Sequence, residues 1–294
     1  MLGSRHRSGA SRNDRTQSHS WPGGGPTLWL MPFAPPRSLS PSKVSAFTDC
    51  PLAFRLSVID RLPEPPSPAA VKGTLVHAAL ERLIWNHPPG GRTLDTARHE
   101  LDAAWAALGD QPDFLLLGLS DTDAESFRAD AAVLIESYFT LEDPNGVDAL
   151  GVELGMEVQI GQMRLRGVID RLDRGATGEL VVIDYKTGRS PSARFEQARL
   201  GGVHIYALLC RHLLGRAPAE VRLLYLRDRV TIVAKPSDQS VQGQIGRTTA
   251  VWSAIERACS HEDFRPRRSP LCRFCHFQDL CPQFGGQPPA GPRI

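Results

Sequence analysis

Residues 167–188 read GVIDRLDRGATGELVVIDYKTG, and this stretch decides the fold. It contains two runs of apolar and β-branched residues separated by a Gly-rich turn, a pattern typical of two neighbouring strands. The first run carries Asp170 and the second carries Asp184. Lys186 follows Asp184 by two residues, so both side chains emerge on one face of the second strand. The stretch therefore predicts a carboxylate–lysine group on two adjacent strands.

Such a group suits the hydrolysis of phosphodiester bonds. Mg²⁺ (or Mn²⁺) prefers carboxylate and carbonyl oxygens and keeps several waters for the nucleophile and the substrate phosphate. A neighbouring lysine can position the attacking water, help to deprotonate it and neutralise charge that develops on the phosphate. An Asp-x-Lys pair by itself is more often an exposed salt bridge, so the hypothesis depends on further residues.

Hydrophobic periodicity around this stretch predicts an α/β chain in which helices precede and follow the strands. The first helix is predicted to begin at an N-cap Ser42 and run through Phe47, and the Pro-rich linker 62–68 follows it. Further helices are predicted at residues 73–85, 94–108, 122–141, 195–214 and 238–259. Strands are predicted at residues 151–160, 163–172, 179–185, 221–226 and 230–234.

The composition is that of an ordinary globular protein. The chain has 294 residues, of which 41% are hydrophobic and 22% charged, and its net charge is +2. Near-neutral charge gives no global argument for binding a polyanion. No apolar stretch approaches the ~20 residues that cross a bilayer, and no signal-peptide pattern is present. The sequence therefore predicts a cytoplasmic protein without membrane association.

Both chain ends have the composition of disordered segments. Residues 1–36 are rich in Ser, Arg, Gly and Pro and lack apolar periodicity, so they cannot bury enough surface to offset chain entropy. Residues 286–294 are predicted to be a disordered tail. Met31 is a second in-frame methionine just before the globular pattern begins, and we consider it as an alternative start.

Three of the six cysteines form a C-x2-C-x5-C pattern near the end of the chain, at Cys272, Cys275 and Cys281. A C-x-x-C turn presents two sulfurs to one metal centre, and a third cysteine nearby almost completes the ligand set. Cys50, which lies in the segment DCPLAF, is the natural fourth ligand. The sequence therefore predicts a metal site that joins the two ends of the domain.

Spacing alone leaves the identity of this metal open. Zinc accepts four cysteines, or three cysteines with His276, whereas an iron–sulfur cluster requires cysteine ligands and tolerates a remote fourth one. Cys210 and Cys259 lie in apolar helical runs, where a buried structural thiol is the common case.

The ordered set of motifs resembles the RecB-like branch of the PD-(D/E)XK nuclease superfamily, including stand-alone exonucleases and the nuclease part of AddB-type proteins. The motifs are SKVSAFTDCPLAFRL at 42–56, GTLVHAALERL at 73–83, RGVIDRLD at 166–173 and VVIDYKTG at 181–188, followed by the late cysteines. The resemblance covers residues 39–282. Each motif alone is weak, whereas their shared order is specific.

The resemblance implies a restriction-endonuclease-like α/β fold, a mixed central sheet flanked by helices. It assigns residues 37–265 to the nuclease domain and residues 266–285 to a cysteine-rich clamp that closes onto Cys50 and holds a [4Fe–4S] cluster. By the same resemblance, His77, Asp170 and Asp184 ligate the catalytic metal together with the Tyr185 carbonyl. Lys186 serves the water nucleophile. Glu153 is a lesser candidate that is equally well interpreted as a surface carboxylate.

The implied function is metal-dependent hydrolysis of DNA, as an exonuclease acting on single-stranded ends in recombination or repair. The chain has no G-x-x-x-x-G-K-[ST] motif, so a helicase would be a separate partner. One departure from the family favours the alternative, a catalytically silent DNA-binding or scaffold protein. Many relatives have a Gln four residues before the tyrosine that corresponds to Tyr206, whereas this chain has Gly202 there and Gln197 lies too far away.

Overall fold

The computed structural model describes residues 32–191 and 201–291, and its centre is a five-stranded sheet with the order β1-β2-β3-β4-β5. β3 and β4 are parallel, and the other neighbouring pairs are antiparallel. The sheet is therefore mixed, as the family resemblance implies. The strands are β1 (Ala149–Ile160), β2 (Met163–Arg174), β3 (Leu180–Lys186), β4 (Glu220–Tyr225) and β5 (Val230–Ala234).

Helices cover both faces of this sheet. The described helices are α1 (Pro41–Asp49), α2 (Pro51–Phe54, continuing into a π-helical turn at Arg55–Ile59), α3 (Pro68–Asn86), α4 (Leu94–Leu108), α5 (Pro112–Leu115), α6 (Asp121–Tyr138), α7 (Gly201–Leu214) and α8 (Asp238–His261). One apolar core joins the sheet to α1, α2, α7 and α8. A second core joins the opposite face to α3, α4 and α6.

The alternation of side chains along β3 explains this two-sided burial. Leu180 and Val182 face the first core, whereas Val181 and Ile183 face the second. A strand that is buried on both faces is expected to be apolar at every position, as this one is until it reaches Asp184. The carboxylate and the lysine thus stand at the end of a central strand, which is held rigidly by both layers.

Two helix starts differ from the sequence prediction because proline occupies the first helical turn. Ser40, not Ser42, caps α1, and its hydroxyl accepts a hydrogen bond from the Lys43 amide at 3.3 Å. α3 begins at Pro68 rather than at residue 73, so the last residue of the predicted linker is helical. Proline has no amide hydrogen to leave unpaired at this position, and its fixed φ suits a helix start.

The ends of the described chain meet each other. Phe33 lies within the segment predicted to be disordered, yet it is buried and its ring stacks edge-on with Phe264. The Arg55 guanidinium donates a hydrogen bond to the Pro289 carbonyl at 2.5 Å, within the predicted tail. Met31, Gln197 and the start of the helix predicted at 195–214 lie outside the described residues. No helix in the two described ranges is both long and apolar enough to span a membrane.

Candidate active site

β2 and β3 bring Asp170 against the backbone of Tyr185. The two strands are antiparallel, and the Tyr185 amide donates a hydrogen bond to Asp170 Oδ2 at 2.7 Å. Asp170 lies inside β2 rather than at its end, and it is buried. A backbone donor on a central strand fixes the orientation of this carboxylate.

His77 reaches the same backbone unit from α3. Its Nε2 lies 3.0 Å from the Tyr185 carbonyl oxygen. A carbonyl oxygen only accepts hydrogen bonds, so Nε2 carries the proton. Nδ1 then faces two carboxylates, at 3.6 Å from Asp170 Oδ2 and 3.8 Å from Glu153 Oε1. This is the arrangement of a metal-ligating histidine whose other ring nitrogen donates to a backbone carbonyl.

Glu153 completes the group and does so with an unusual backbone. Among the described residues, three side chains each place one potential metal-ligand atom within 4.8 Å of the other two: His77, Glu153 and Asp170. Glu153 has φ 46°, in the left-handed region, although it lies within β1. A non-glycine residue there costs about 1–2 kcal/mol and such residues concentrate at functional sites. Alternation along the sequence gave no signal for this conformation.

Asp184 and Lys186 form an ion pair next to this group, as their shared strand face predicts. The Tyr206 hydroxyl donates to Asp184 Oδ1 at 3.1 Å. Asp184 Oδ2 is buried and, within the described chain, has no hydrogen-bond partner besides its ion pair with Lys186. The lysine side chain itself is 43% exposed, so its ammonium can meet a substrate.

Gly167 on β2 faces α7. A Cβ atom at Gly167 would lie 2.9 Å from the end of the Leu209 side chain and in ordinary contact, at 3.6 Å, with the Tyr206 ring, so a larger residue would displace the Leu209 side chain. Gly202, by contrast, has open space, since the nearest atom to an added Cβ is in Pro41 at 3.9 Å. The site therefore retains the tyrosine of the family pattern and lacks the glutamine.

Negative charge accumulates in this site. Burial and, after it, the nearby charge of Asp184 raise the pKa of Asp170 to about 7. Burial lowers the pKa of His77, but Glu153, Asp170 and Asp184 more than offset this and the pKa ends above its usual value. Burial also lowers the pKa of Lys186, and the charge of Asp184 reverses that effect.

The donor set fits a hard divalent cation. Carboxylate oxygens, a backbone carbonyl and exposed positions for water are what Mg²⁺ and Mn²⁺ take. Burial of two carboxylates next to each other disfavours their ionised forms, and a cation between them would remove this cost. The residues that would hold it are His77, Glu153, Asp170 and Asp184. The Tyr185 carbonyl, which the family resemblance makes a further ligand, instead accepts from Nε2 on the opposite side of the His77 ring.

The cysteines predicted to form a clamp lie around one cavity of about 340 Å³, which Cys50, Cys272, Cys275 and Cys281 line. Burial raises the pKa of the Cys275 thiol, and the other three sulfurs raise it further, so the four are neighbours. Cys50 Sγ accepts from the Arg267 amide at 3.4 Å, which links α1 to the C-terminal segment.

The two remaining cysteines lie elsewhere. Cys210 and Cys259 are fully buried in the first core. Burial raises the pKa of the Cys210 thiol to about 11 and that of Cys259 to about 12. They are inert thiols that pack as small apolar side chains.

Comparison with known proteins identifies relatives of this chain. The gene 69 protein of Mycobacterium phage D29 is 27% identical over 269 residues, which cover 83% of this chain and 96% of that protein. The gene 69 protein of Mycobacterium phage L5 is 30% identical over 136 residues, 45% of this chain and 44% of that protein. One subunit of the ATP-dependent helicase/deoxyribonuclease of Streptococcus equi subsp. zooepidemicus (strain H70) is 29% identical over 162 residues, 53% of this chain but 15% of that protein.

A solved structure of a putative exonuclease from Eubacterium rectale is 12% identical and superposes with a TM-score of 0.49, covering 81% of this chain and 87% of that one. The model of the PD-(D/E)XK nuclease superfamily matches residues 38–282, which contain the whole sheet and the site. Together with the mixed sheet and its carboxylate–lysine strand, this match shows that the chain belongs to the PD-(D/E)XK nuclease superfamily.

Proposed function

We propose that this chain is a Mg²⁺-dependent deoxyribonuclease that degrades DNA from single-stranded ends, in recombination or repair. One observation carries the proposal: the His77–Glu153–Asp170 group stands next to the Asp184–Lys186 ion pair. The first group has the ligands for a hard cation, and the second places an exposed ammonium beside it. A silent scaffold has no need for a buried concentration of like charges, which destabilises a folded protein.

The roles of the residues follow from their positions. When bound, a divalent cation would polarise the scissile phosphate and lower the pKa of a water molecule. Asp170 and Asp184 face the site from adjacent strands and would hold the cation between them. Lys186 keeps its proton near neutral pH, because Asp184 raises its pKa. Its ammonium would orient the attacking water and stabilise the charge that develops on the phosphate.

His77 would bind the cation, and Tyr206 orients the Asp184 carboxylate. The tautomer fixed by the Tyr185 carbonyl leaves His77 Nδ1 free to bind the cation. The Tyr206 hydroxyl donates to Asp184 Oδ1, so the other oxygen, Oδ2, is directed towards Lys186. Burial and the charge of Asp184 raise the pKa of Tyr206, so this hydroxyl remains a donor at neutral pH.

We propose that the cysteine cavity holds a [4Fe–4S] cluster that clamps the C-terminal segment to Cys50. Tetrahedral zinc with Zn–S bonds of ~2.3 Å places its sulfurs ~3.8 Å apart. No three of the described cysteine sulfurs lie within 4.8 Å of one another. A cluster of several metal atoms spans more space, which suits four sulfurs that line one pocket at wider spacing. Zinc remains the alternative, with a distinct outcome in the test below.

The proposed substrate implies a partner. An exonuclease on single-stranded ends needs a source of unwound DNA, and this chain has no nucleotide-binding motif of its own. One relative is named as a subunit of an ATP-dependent helicase/deoxyribonuclease. We therefore propose a separate helicase as the partner that supplies the strand.

The experiment is degradation of end-labelled single-stranded DNA with Mg²⁺ by the wild-type protein and by Asp184→Ala. We expect the substitution to abolish cleavage and metal binding while the fold persists, because a carboxylate at a strand end contributes little packing. Asp102→Ala, at an exposed position on α4, is the matched control and should leave the rate unchanged. An equally active Asp184→Ala protein would exclude this site as the source of the activity.

A further inference from the structure

Arg171 is a fully buried cation immediately behind the site. It lies on β2 next to Asp170 and is among the largest fully buried side chains of the described chain. Its guanidinium forks onto both oxygens of Asp173 and both oxygens of Glu142 at 2.6–3.1 Å. Nη1 also donates to the hydroxyls of Tyr185 at 2.7 Å and of Tyr138 at 3.1 Å.

This network is a poor way to stabilise a fold. Moving a guanidinium and two carboxylates out of water carries a desolvation penalty that their mutual attraction often fails to exceed, so well-packed apolar residues of similar size would serve stability as well or better. What a network of forked hydrogen bonds does provide is a fixed geometry. The question is therefore which group Arg171 fixes.

Tyr185 is the residue that connects the Arg171 network to the site. Its hydroxyl accepts from Arg171, while its own backbone amide donates to Asp170 and its carbonyl accepts from His77. Movement of Tyr185 would therefore displace two candidate metal ligands at once. The Tyr185 ring is buried between Tyr138 and His77, so the hydroxyl is the polar group through which hydrogen bonds can fix the side chain.

We propose that Arg171 is a positioning residue, which acts through the hydroxyl of Tyr185 to hold Asp170 and His77 at the spacing that a divalent cation requires. The inference rests on the proposed function and adds a residue that does not touch the reacting atoms. It assigns the Glu142 and Asp173 carboxylates the task of holding the guanidinium, rather than of binding metal.

Two tyrosine variants, each lacking only the hydroxyl oxygen, test whether Arg171 acts through Tyr185. Tyr185→Phe and Tyr138→Phe each delete a hydroxyl that bonds to the same guanidinium nitrogen, but the Tyr138 hydroxyl belongs to a residue on α6, outside the metal-binding group. The measurement is the Mn²⁺ dissociation constant, from electron paramagnetic resonance or calorimetry, alongside thermal melts. We expect Tyr185→Phe to weaken Mn²⁺ binding about tenfold and Tyr138→Phe to leave it within twofold, although both lower the melting temperature.

A pair of arginine variants separates positioning from general destabilisation. Arg171→Lys keeps the charge but loses the forks, and Arg92→Lys does the same to a buried guanidinium that donates to four backbone carbonyls away from the site. We expect weaker Mn²⁺ binding, and a loss of kcat that high Mn²⁺ recovers, for Arg171→Lys alone. Equal effects of the two members of either pair on the Mn²⁺ dissociation constant would overturn it.

The outcome also distinguishes this inference from the proposed nuclease function. A wild-type protein that binds Mn²⁺ but cleaves no DNA would refute the nuclease function while the Mn²⁺ comparisons still decide the role of Arg171. A wild-type protein that binds no Mn²⁺ would overturn both.

Discussion

Replacing Asp170 with Asn should stabilise the metal-free protein and, at the same time, remove its affinity for metal. The substitution changes no volume and no backbone preference of consequence. The amide oxygen can still accept the hydrogen bond that the Tyr185 amide donates to Oδ2. What disappears is a negative charge that burial and Asp184 both disfavour.

The structure sets the size of this effect. The pKa of Asp170 lies at about 7, against an ordinary value of 3.8. At ~1.4 kcal/mol for each tenfold change in a proton equilibrium, keeping this carboxyl ionised in the folded protein at pH 8 costs up to about 4 kcal/mol. This pKa already includes the attraction of His77 and Lys186 to the carboxylate. Burying the polar amide of Asn offsets part of the gain, so we expect a net gain of about 2 kcal/mol. For a domain of this size that is a rise of roughly 4–8 °C in melting temperature.

The sign of the pH dependence makes the test specific. Between about pH 4 and pH 7 the folded protein retains a proton on Asp170 that the unfolded chain has released, so the free energy of unfolding falls as the pH rises. At pH 5, two units below the folded pKa, the cost of burying this carboxyl is smaller by about 3 kcal/mol than at pH 8, so the net advantage of Asn should vanish.

The assay is a thermal melt in chelator at pH 8 and pH 5, with the exposed Asp102→Asn as a control that should show no gain at either pH. No gain for Asp170→Asn at pH 8, or an equal gain at pH 5, would refute the reasoning.

Three further predictions concern other parts of the molecule. Glu153→Gly should remove the strain of the left-handed φ, raise the free energy of unfolding by about 1 kcal/mol and weaken Mn²⁺ binding. Glu262→Gly is the control: it has the same kind of φ, at the C-cap of α8, and should stabilise the protein without changing its Mn²⁺ affinity. Apparent Mn²⁺ affinity should rise at least tenfold per pH unit below pH 7 and level off at higher pH, because the cation competes with protons on Asp170 and His77. Calorimetry across pH checks this, and a flat profile contradicts it. Anaerobically purified protein should be brown, with absorbance near roughly 400 nm. Cys50→Ser should abolish this absorbance, and Cys210→Ser should leave it intact. Colourless protein with about one zinc would favour the alternative metal.

The sequence was a good guide where side-chain periodicity carries the information. The alternation on β3 placed Asp184 and Lys186 on one face, and they form an ion pair. Apolar runs located all five strands to within two residues at each end, because burial on both faces leaves few other patterns for a strand. The mixed sheet follows from the same runs together with the family resemblance.

The rest depended on contacts that no local pattern encodes. Glu153 was the lesser candidate because a surface carboxylate was an equally good interpretation, and its left-handed backbone and its approach to His77 had no local signal. Arg171 carried no signal of its own in the sequence, because its partner Glu142 comes from a different part of the chain. The hydrogen bond from Tyr206 to Asp184 joins α7 to β3, which are separated in the sequence.

The central claim is that this site cleaves DNA from its ends with a divalent metal. The most direct measurement compares linear and covalently closed circular single-stranded DNA, incubated with Mg²⁺ and wild-type protein or Lys186→Ala. The account predicts that the linear strand is degraded and the circle survives, that chelator stops the reaction, and that Lys186→Ala binds metal but is slower by about 10²–10³-fold. A wild-type protein that leaves both substrates intact with Mg²⁺ and with Mn²⁺ would contradict it and favour a silent DNA-binding scaffold.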